Sequence, residues 1–222
     1  MFKRNSHSSF ITLCLLLVLS GCSDDDVYVP SYRTDLVFAY TDQDSIVNYI
    51  LMDDGKRYDV NSQKIVGVAP NARIRCYTSF SIGADSTDVM VYEMKRISFY
   101  APLPADSFDI HPQDPLNVIS VWRSGDYINL CLAPLVSSFK DFQYDFCIDS
   151  ITHSVPASET DSKKTVLHTC LLFKRPKYGS ESYTHKFYHT IPLYSDDYPC
   201  DFDSLYLYIN TYDGMKRFCF ER

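Results

Sequence analysis

Tyr49-Ile-Leu-Met-Asp-Asp-Gly-Lys-Arg-Tyr-Asp-Val60 reads as two strand runs folded about Asp54-Gly55. Asp-Gly between alternating apolar residues is the strongest short-range hairpin signal, because the glycine takes the positive φ that a tight turn needs. Outward from this hairpin, Leu36 to Tyr40, Ala72 to Phe80 and Val89 to Tyr100 show the same two-residue alternation, while helical periodicity is nearly absent. Five such strands in about 70 residues fit a small, partly open barrel.

Beyond it, Ala101 to Pro115 holds four prolines, which restrict the backbone and remove ladder donors. This reads as an interdomain linker. Strand runs resume at Val118–Trp122, Tyr127–Ala133, Gln143–Asp149, Thr165–Lys174, Ser182–Pro192, Leu205–Tyr212 and Lys216–Glu221, the last two around Asp213-Gly214. Seven short strands at this spacing predict an antiparallel β-sandwich.

The N-terminus addresses location. Met-Phe-Lys-Arg precedes the apolar run Phe10–Leu19, a charged n-region and an h-region, and that run is about half of what a spanning helix needs. Leu19-Ser20-Gly21-Cys22 resembles the lipobox of bacterial lipoproteins, which implies cleavage before Cys22 and lipidation of its thiol. Several acyl chains on one residue would anchor the protein stably. Ser23-Asp24-Asp25-Asp26 resembles the acidic export signal of surface lipoproteins of the Bacteroidetes. The resemblance implies the outer membrane and the cell exterior, the periplasmic face being the alternative.

Loss of residues 1 to 21 leaves 19 basic against 28 acidic side chains, a net charge of −9. Such a chain has no electrostatic basis for holding a phosphate backbone, so nucleic acid is not an expected partner. Residues 33 to 110 alone carry 8 basic and 11 acidic side chains. Once Cys22 is lipidated, six thiols remain, at Cys76, Cys131, Cys147, Cys170, Cys200 and Cys219. Cys76 shares a face with Ile74, Thr78 and Phe80, opposite Arg73 and Arg75, and reads as a buried free thiol. Cys147, Cys170 and Cys219 share faces with polar residues and are expected nearer the surface, with disulfide pairing among them left open.

Together, the lipobox with its aspartates, the Asp-Asp-Gly hairpin, Asn71-Ala-Arg-Ile-Arg-Cys-Tyr77, Val118-Ile-Ser-Val-Trp-Arg-Ser-Gly-Asp-Tyr-Ile-Asn-Leu130 and the closing strand pair resemble the NigD-like family of Bacteroidetes lipoproteins. The resemblance implies an N-terminal OB-type barrel and a C-terminal β-sandwich. The expected organisation is a signal peptide at 1–21, an acidic tether at 22–32, an OB-like barrel at 33–103, a Pro-rich linker at 104–115 and a sandwich at 116–222. The many cysteines and the polar insert Ser154–Lys164 depart from the family's pattern. The family's name comes from a bacteriocin cluster, which raises immunity against a bacteriocin as a role.

No catalytic set stands out. His185 and His189 have zinc-like spacing only on a helix; on a strand they lie about 13 Å apart, too far to share an ion. His168 and Cys170 share a face but lack a recognisable orienting group. Asp42 and Asp44, Asp53 and Asp54, Asp196 and Asp197, and Asp201 and Asp203 lack the spacing of a calcium loop and read as solvated turn residues. Asp-Ser followed by Ile, Thr or Leu, at Asp44, Asp85, Asp149 and Asp203, resembles short O-glycosylation acceptors. On Leu205–Tyr212, Tyr206, Tyr208, Asn210 and Tyr212 form a row opposite Leu205, Leu207 and Ile209. Tyrosines beside an amide suit a glycan or protein partner. The expectation is a non-catalytic, lipid-anchored binding or accessory module of a surface assembly, with no metal or cofactor. An immunity protein, or an enzyme acting on surface glycans or peptides, is the alternative.

Overall fold

The computed structural model describes residues 31–64, 68–83, 87–136, 143–154, 163–175 and 183–222. The signal peptide, Cys22 with its lipobox, residues 23–30 of the expected tether and most of the 154–164 insert lie outside them, as do Asp85 and Ser86; Ser31 and Tyr32, expected as the end of the tether, instead begin the first strand.

The first five strands are β1 Ser31–Thr41, β2 Ile46–Leu51, β3 Arg57–Lys64, β4 Arg73–Ile82 and β5 Asp88–Arg96. They close into a barrel in the order β1-β2-β3-β5-β4, with β3 and β5 parallel. The barrel is closed, not partly open, and its all-β, OB-like form matches expectation. Val37, Val47, Ile50, Cys76, Phe80 and Val89 fill it. The hairpin between β2 and β3 turns at Asp54-Gly55, with Gly55 at φ +85°.

Nine further strands make two facing sheets: β6 Ser98–Phe99, β7 Leu103–Pro104, β8 Asn117–Ser124, β9 Tyr127–Ala133, then β11 Gln143–His153, β12 Thr165–Lys174, β14 Phe187–Pro192, β15 Ser204–Thr211 and β16 Gly214–Glu221. One sheet runs β16-β15-β12-β11-β7, the other β6-β14-β9-β8; the short β10 Leu135–Val136 and β13 Tyr183–Thr184 pair separately. Between the sheets lies a core that includes Leu116, Leu130, Phe146, Leu167, Ile191 and Leu207. The sandwich is mixed and not wholly antiparallel, since β12 runs parallel to β15, β7 to β11 and β6 to β14. Alternation reports which face is buried and carries no strand direction.

The proline-rich stretch is not a free linker. Ser98–Phe99 and Leu103–Pro104 already pair with sandwich strands, so the sandwich begins before residue 104. Further on, Phe173 N donates to Pro112 O at 2.8 Å, Asp114 N to Phe173 O at 2.9 Å, and Leu116 N to Asn210 O at 3.2 Å. Residues 112–116 thus take up β12 and β15 just where the pairing of Val166–Cys170 with Ser204–Tyr208 has ended. Prolines lack donors but keep their carbonyls, and here those carbonyls accept: Pro115 O also takes Nη2 of Arg175 at 3.2 Å.

Barrel and sandwich meet where the Asp-Asp-Gly hairpin receives the β8–β9 turn. Gly125 has φ +54°, and a Cβ on it would stand 2.7 Å from the Asp53 carbonyl oxygen. Gly125→Ala is expected to cost about 2 kcal/mol or more, from left-handed strain and the clash together. Gly55→Ala, with φ +85° but nothing within 4 Å, should show only the strain. Urea midpoints of the two variants check this; equal losses would mean that the close approach is easily relaxed.

Candidate functional site

The tyrosine row sits on the outer face of the five-stranded sheet. β15 alternates as expected, with Leu205, Leu207 and Ile209 buried and Tyr206, Tyr208 and Asn210 half-exposed. Tyr212 lies in the turn to β16 and is 44% exposed, with the Arg175 guanidinium 5.2 Å from its ring centroid. Register places Cys219 opposite Tyr206, Arg217 opposite Tyr208 and Met215 opposite Asn210. His168 of β12 completes the face, its Nδ1 3.1 Å from the Tyr208 hydroxyl and its Nε2 2.8 Å from the Thr152 hydroxyl. The Arg217 guanidinium stands 5.1 Å from the Tyr206 ring. Aromatic rings, an arginine and an exposed methionine are the composition of interface centres. Asn210 is partly committed, because its Nδ2 donates to Gln113 O at 2.7 Å. Contact with Cys219 raises the Tyr206 hydroxyl pKa, so it stays a neutral phenol.

Two cysteines expected near the surface are buried instead. Cys147 and Cys170 face each other across β11 and β12 and, with Leu172, pack beneath Ala105 and Phe108 of the proline-rich segment. Burial pushes the Cys170 thiol up to about 12. That is the opposite of the lowered pKa that activates a cysteine nucleophile. Cys76 lies in the barrel core as predicted, its thiol likewise pushed up to about 12 by burial. All six described thiols are free, Cys219 being exposed and Cys200 half-buried.

The histidine pair is separated by its surroundings. The strand run expected over 182–192 breaks at His185-Lys186, and His185 N donates to Pro134 O. His189 is fully buried against Tyr100 and Phe146, each with ring centroids 4.4 Å away. Among the described residues no group of three His, Cys, Asp or Glu side chains could hold a metal ion. Most acid clusters do build turns: Asp42 Oδ1 accepts from the backbone N–H groups of Asp44 and Ile46. Asp203 instead clasps the start of β12, its Oδ2 2.6 Å from Thr165 N.

Asp53 departs furthest from a solvated turn residue. Its side chain is 6% exposed and receives the fully buried Arg75 guanidinium in a bidentate pair, Nη2 to Oδ2 at 2.8 Å. From the sandwich, Asn129 Oδ1 accepts Nη2 at 3.1 Å, Thr190 Oγ1 accepts Nε at 3.3 Å, and Thr190 itself donates to Asn129 Oδ1 at 2.7 Å. The Phe38 and Tyr127 rings stand 4.7 and 5.0 Å from the guanidinium carbon. The pair is neutral as a whole, and it ties both domains together. The Asp-Asp-Gly, Arg-Ile-Arg and Gly-Asp-Tyr-Ile-Asn stretches thus converge on one junction.

No protein-family model matches the chain, and no curated protein matches its sequence. Solved structures are similar. A NigD-like immunity protein from Bacteroides caccae aligns with TM-score 0.59 at 20% identity, over 87% of this chain and 99% of that one. A toxin-related protein from Parabacteroides distasonis reaches 0.63 at 15% identity, over 86% and 93%. A protein described as a lipoprotein, from Bacteroides fragilis, reaches 0.55 at 13% identity, over 86% and 97%. At these identities the likeness establishes the fold, a two-part all-β architecture shared along nearly the whole described chain.

Proposed function

We propose that this chain is a lipid-anchored accessory protein of the outer membrane that acts by holding a partner, with immunity against a bacteriocin as one form such holding takes. The observation that carries the reading is the lipobox: Leu19-Ser20-Gly21-Cys22 ends an export signal and is followed at once by Ser23, Asp24, Asp25 and Asp26. The acid run favours display on the cell exterior. The likeness in fold to an immunity protein and to a protein described as a lipoprotein supports the same assignment.

Holding, and not turnover, is what the sheet face offers. Tyr206, Tyr208 and Tyr212 present ring faces and hydroxyls, Arg217 a guanidinium, and His168 an imidazole already engaged by Thr152 and Tyr208. A protein or glycan partner would meet rigid side chains that lose little entropy on binding.

Fractionation tests the anchor. The wild-type chain should stay with carbonate-washed membranes, and Cys22→Ala should be released or left unprocessed; retention of the variant would sink the anchoring. In the same cells, cross-linking should trap a complex that Tyr206→Ser with Tyr212→Ser loses. An equal yield from that double variant would remove the face from the reading.

A further inference from the structure

Two clefts flank Arg96-Ile97-Ser98, the three residues that carry the chain from β5 of the barrel into β6 of the sandwich. One, of about 480 Å³, is lined by Arg73, Arg96, Phe99 and Tyr100, among others. Its neighbour, of about 450 Å³, is lined by Tyr77, Lys95, Arg96, Lys186 and Tyr188, with Glu93 its single carboxylate. Arg73, Lys95, Arg96 and Lys186 are all exposed, and among the described residues Lys95, Arg96 and Lys186 form no ion pair. Arg75 at the cleft floor is already neutralised by Asp53. Arg73 is already engaged, its guanidinium 3.7 Å from the Phe38 ring centroid and its Nη2 2.9 Å from the Tyr127 hydroxyl, so three open cations against one acid gather in a mature chain whose net charge is −9.

We propose that this double cleft binds a short acidic segment of a partner protein, with carboxylates on Lys95, Arg96 and Lys186 and apolar side chains against Ile97, Phe99 and the stacked Tyr77–Tyr188 pair. Those two rings lie 4.8 Å apart at 26° and give the cleft a rigid wall. The charge pattern selects the occupant. Lysine and arginine only donate hydrogen bonds, and carboxylates only accept them, so the two inventories match. Sugar hydroxyls need acceptors as well as donors, and the second cleft offers one carboxylate, Glu93, beside Ser98 and tyrosine hydroxyls, so its charged donors outnumber its charged acceptors three to one. A polyanion longer than the cleft also meets the net negative charge of the chain, whereas a short acidic segment engages chiefly the cleft's cations. β6 ends its sheet and pairs with β14 alone, while the crossing segment before it is held to the barrel, Ile97 N donating to Arg75 O at 3.0 Å. This site is separate from the tyrosine face and stands or falls without it.

The test uses the mature lipoprotein in detergent micelles and a fluorescein-labelled peptide in which Asp and Glu alternate with Leu and Ala. Its control has Asn and Gln in place of the acids. Anisotropy should report binding of the acidic peptide, weakened about tenfold or more by Arg96→Glu with Lys186→Glu, and falling steeply between roughly 50 and roughly 500 mM salt. Tyr206→Ser with Tyr212→Ser should leave it unchanged. Lys95→Gln with Lys186→Gln replaces the charge reversals where these disturb the melting curve. Equal binding of the amide peptide, or indifference to the substitutions, overturns the proposal. Displacement of the peptide by an oligogalacturonate at lower concentration than by unlabelled peptide also overturns it and assigns the cleft to an anionic glycan.

Discussion

Arg75→Ala is expected to remove roughly 3–5 kcal/mol of stability, because it strips one partner from a buried ion pair and leaves the other charge without compensation. Asp53 would keep a carboxylate at 6% exposure with no cation beside it, and Asn129 and Thr190 would each lose a donor. The cavity opens between the Phe38 and Tyr127 rings, so the loss of packing and of cation–π attraction adds to the electrostatic penalty. Asp53→Ala should be at least as damaging, since it strands a guanidinium. Arg75→Met combined with Asp53→Leu should recover most of the loss, as apolar residues of similar size often replace buried pairs at little cost. Urea denaturation followed by tyrosine and tryptophan fluorescence measures all three. A single-variant loss below about 1 kcal/mol would mean that water enters the junction and that the pair does not lock the barrel to the sandwich.

Much of the architecture was legible from alternation and turn chemistry. Asp54-Gly55 and Asp213-Gly214 marked hairpins, and the leucine–tyrosine alternation of Leu205–Tyr212 sorted buried from half-exposed residues. The OB character needed the family resemblance, since five strands alone do not specify that β3 pairs with β5 in parallel. What stayed hidden was non-local. Parity placed Arg75 opposite the barrel interior, which is right, but nothing in the local pattern says that a second domain covers that face. Cys147 and Cys170 looked shallow for the same reason, because Phe108 comes from a distant segment to cover them. The prolines of 102–115 forbade donors and so suggested a linker. Their carbonyls were the part that mattered. The signal that could have found the junction was the joint presence of the Asp-Asp-Gly, Arg-Ile-Arg-Cys-Tyr and Gly-Asp-Tyr-Ile-Asn stretches.

Acidification should weaken the fold through His189. Burial drives its pKa down from 6.5 to about 3, only partly opposed by the backbone at Tyr100. Above pH 6.5 the imidazole is neutral in both folded and unfolded chains and contributes no pH dependence. Between that value and about 3 the unfolded chain takes up a proton that the folded chain cannot, so stability falls as pH falls, by at most about 1.4 kcal/mol per pH unit. By pH 4.5 the loss attributable to this residue should be roughly 2–3 kcal/mol. His189→Leu keeps the apolar contacts to Tyr100 and Phe146 and should flatten that part of the curve, so unfolding free energies of the two proteins at pH 7.5, 5.5 and 4.5 isolate the residue. Parallel curves would show that the folded chain accommodates the imidazolium. The position matters beyond its own energy, because the next residue on β14 is Thr190, which accepts from Arg75. Charging His189, whose ring packs on Phe146 of the facing sheet, should loosen that strand and disturb the Thr190 contact on its other face. Arg75→Ala and low pH should therefore combine non-additively, as neighbours on one strand do and distant sites do not.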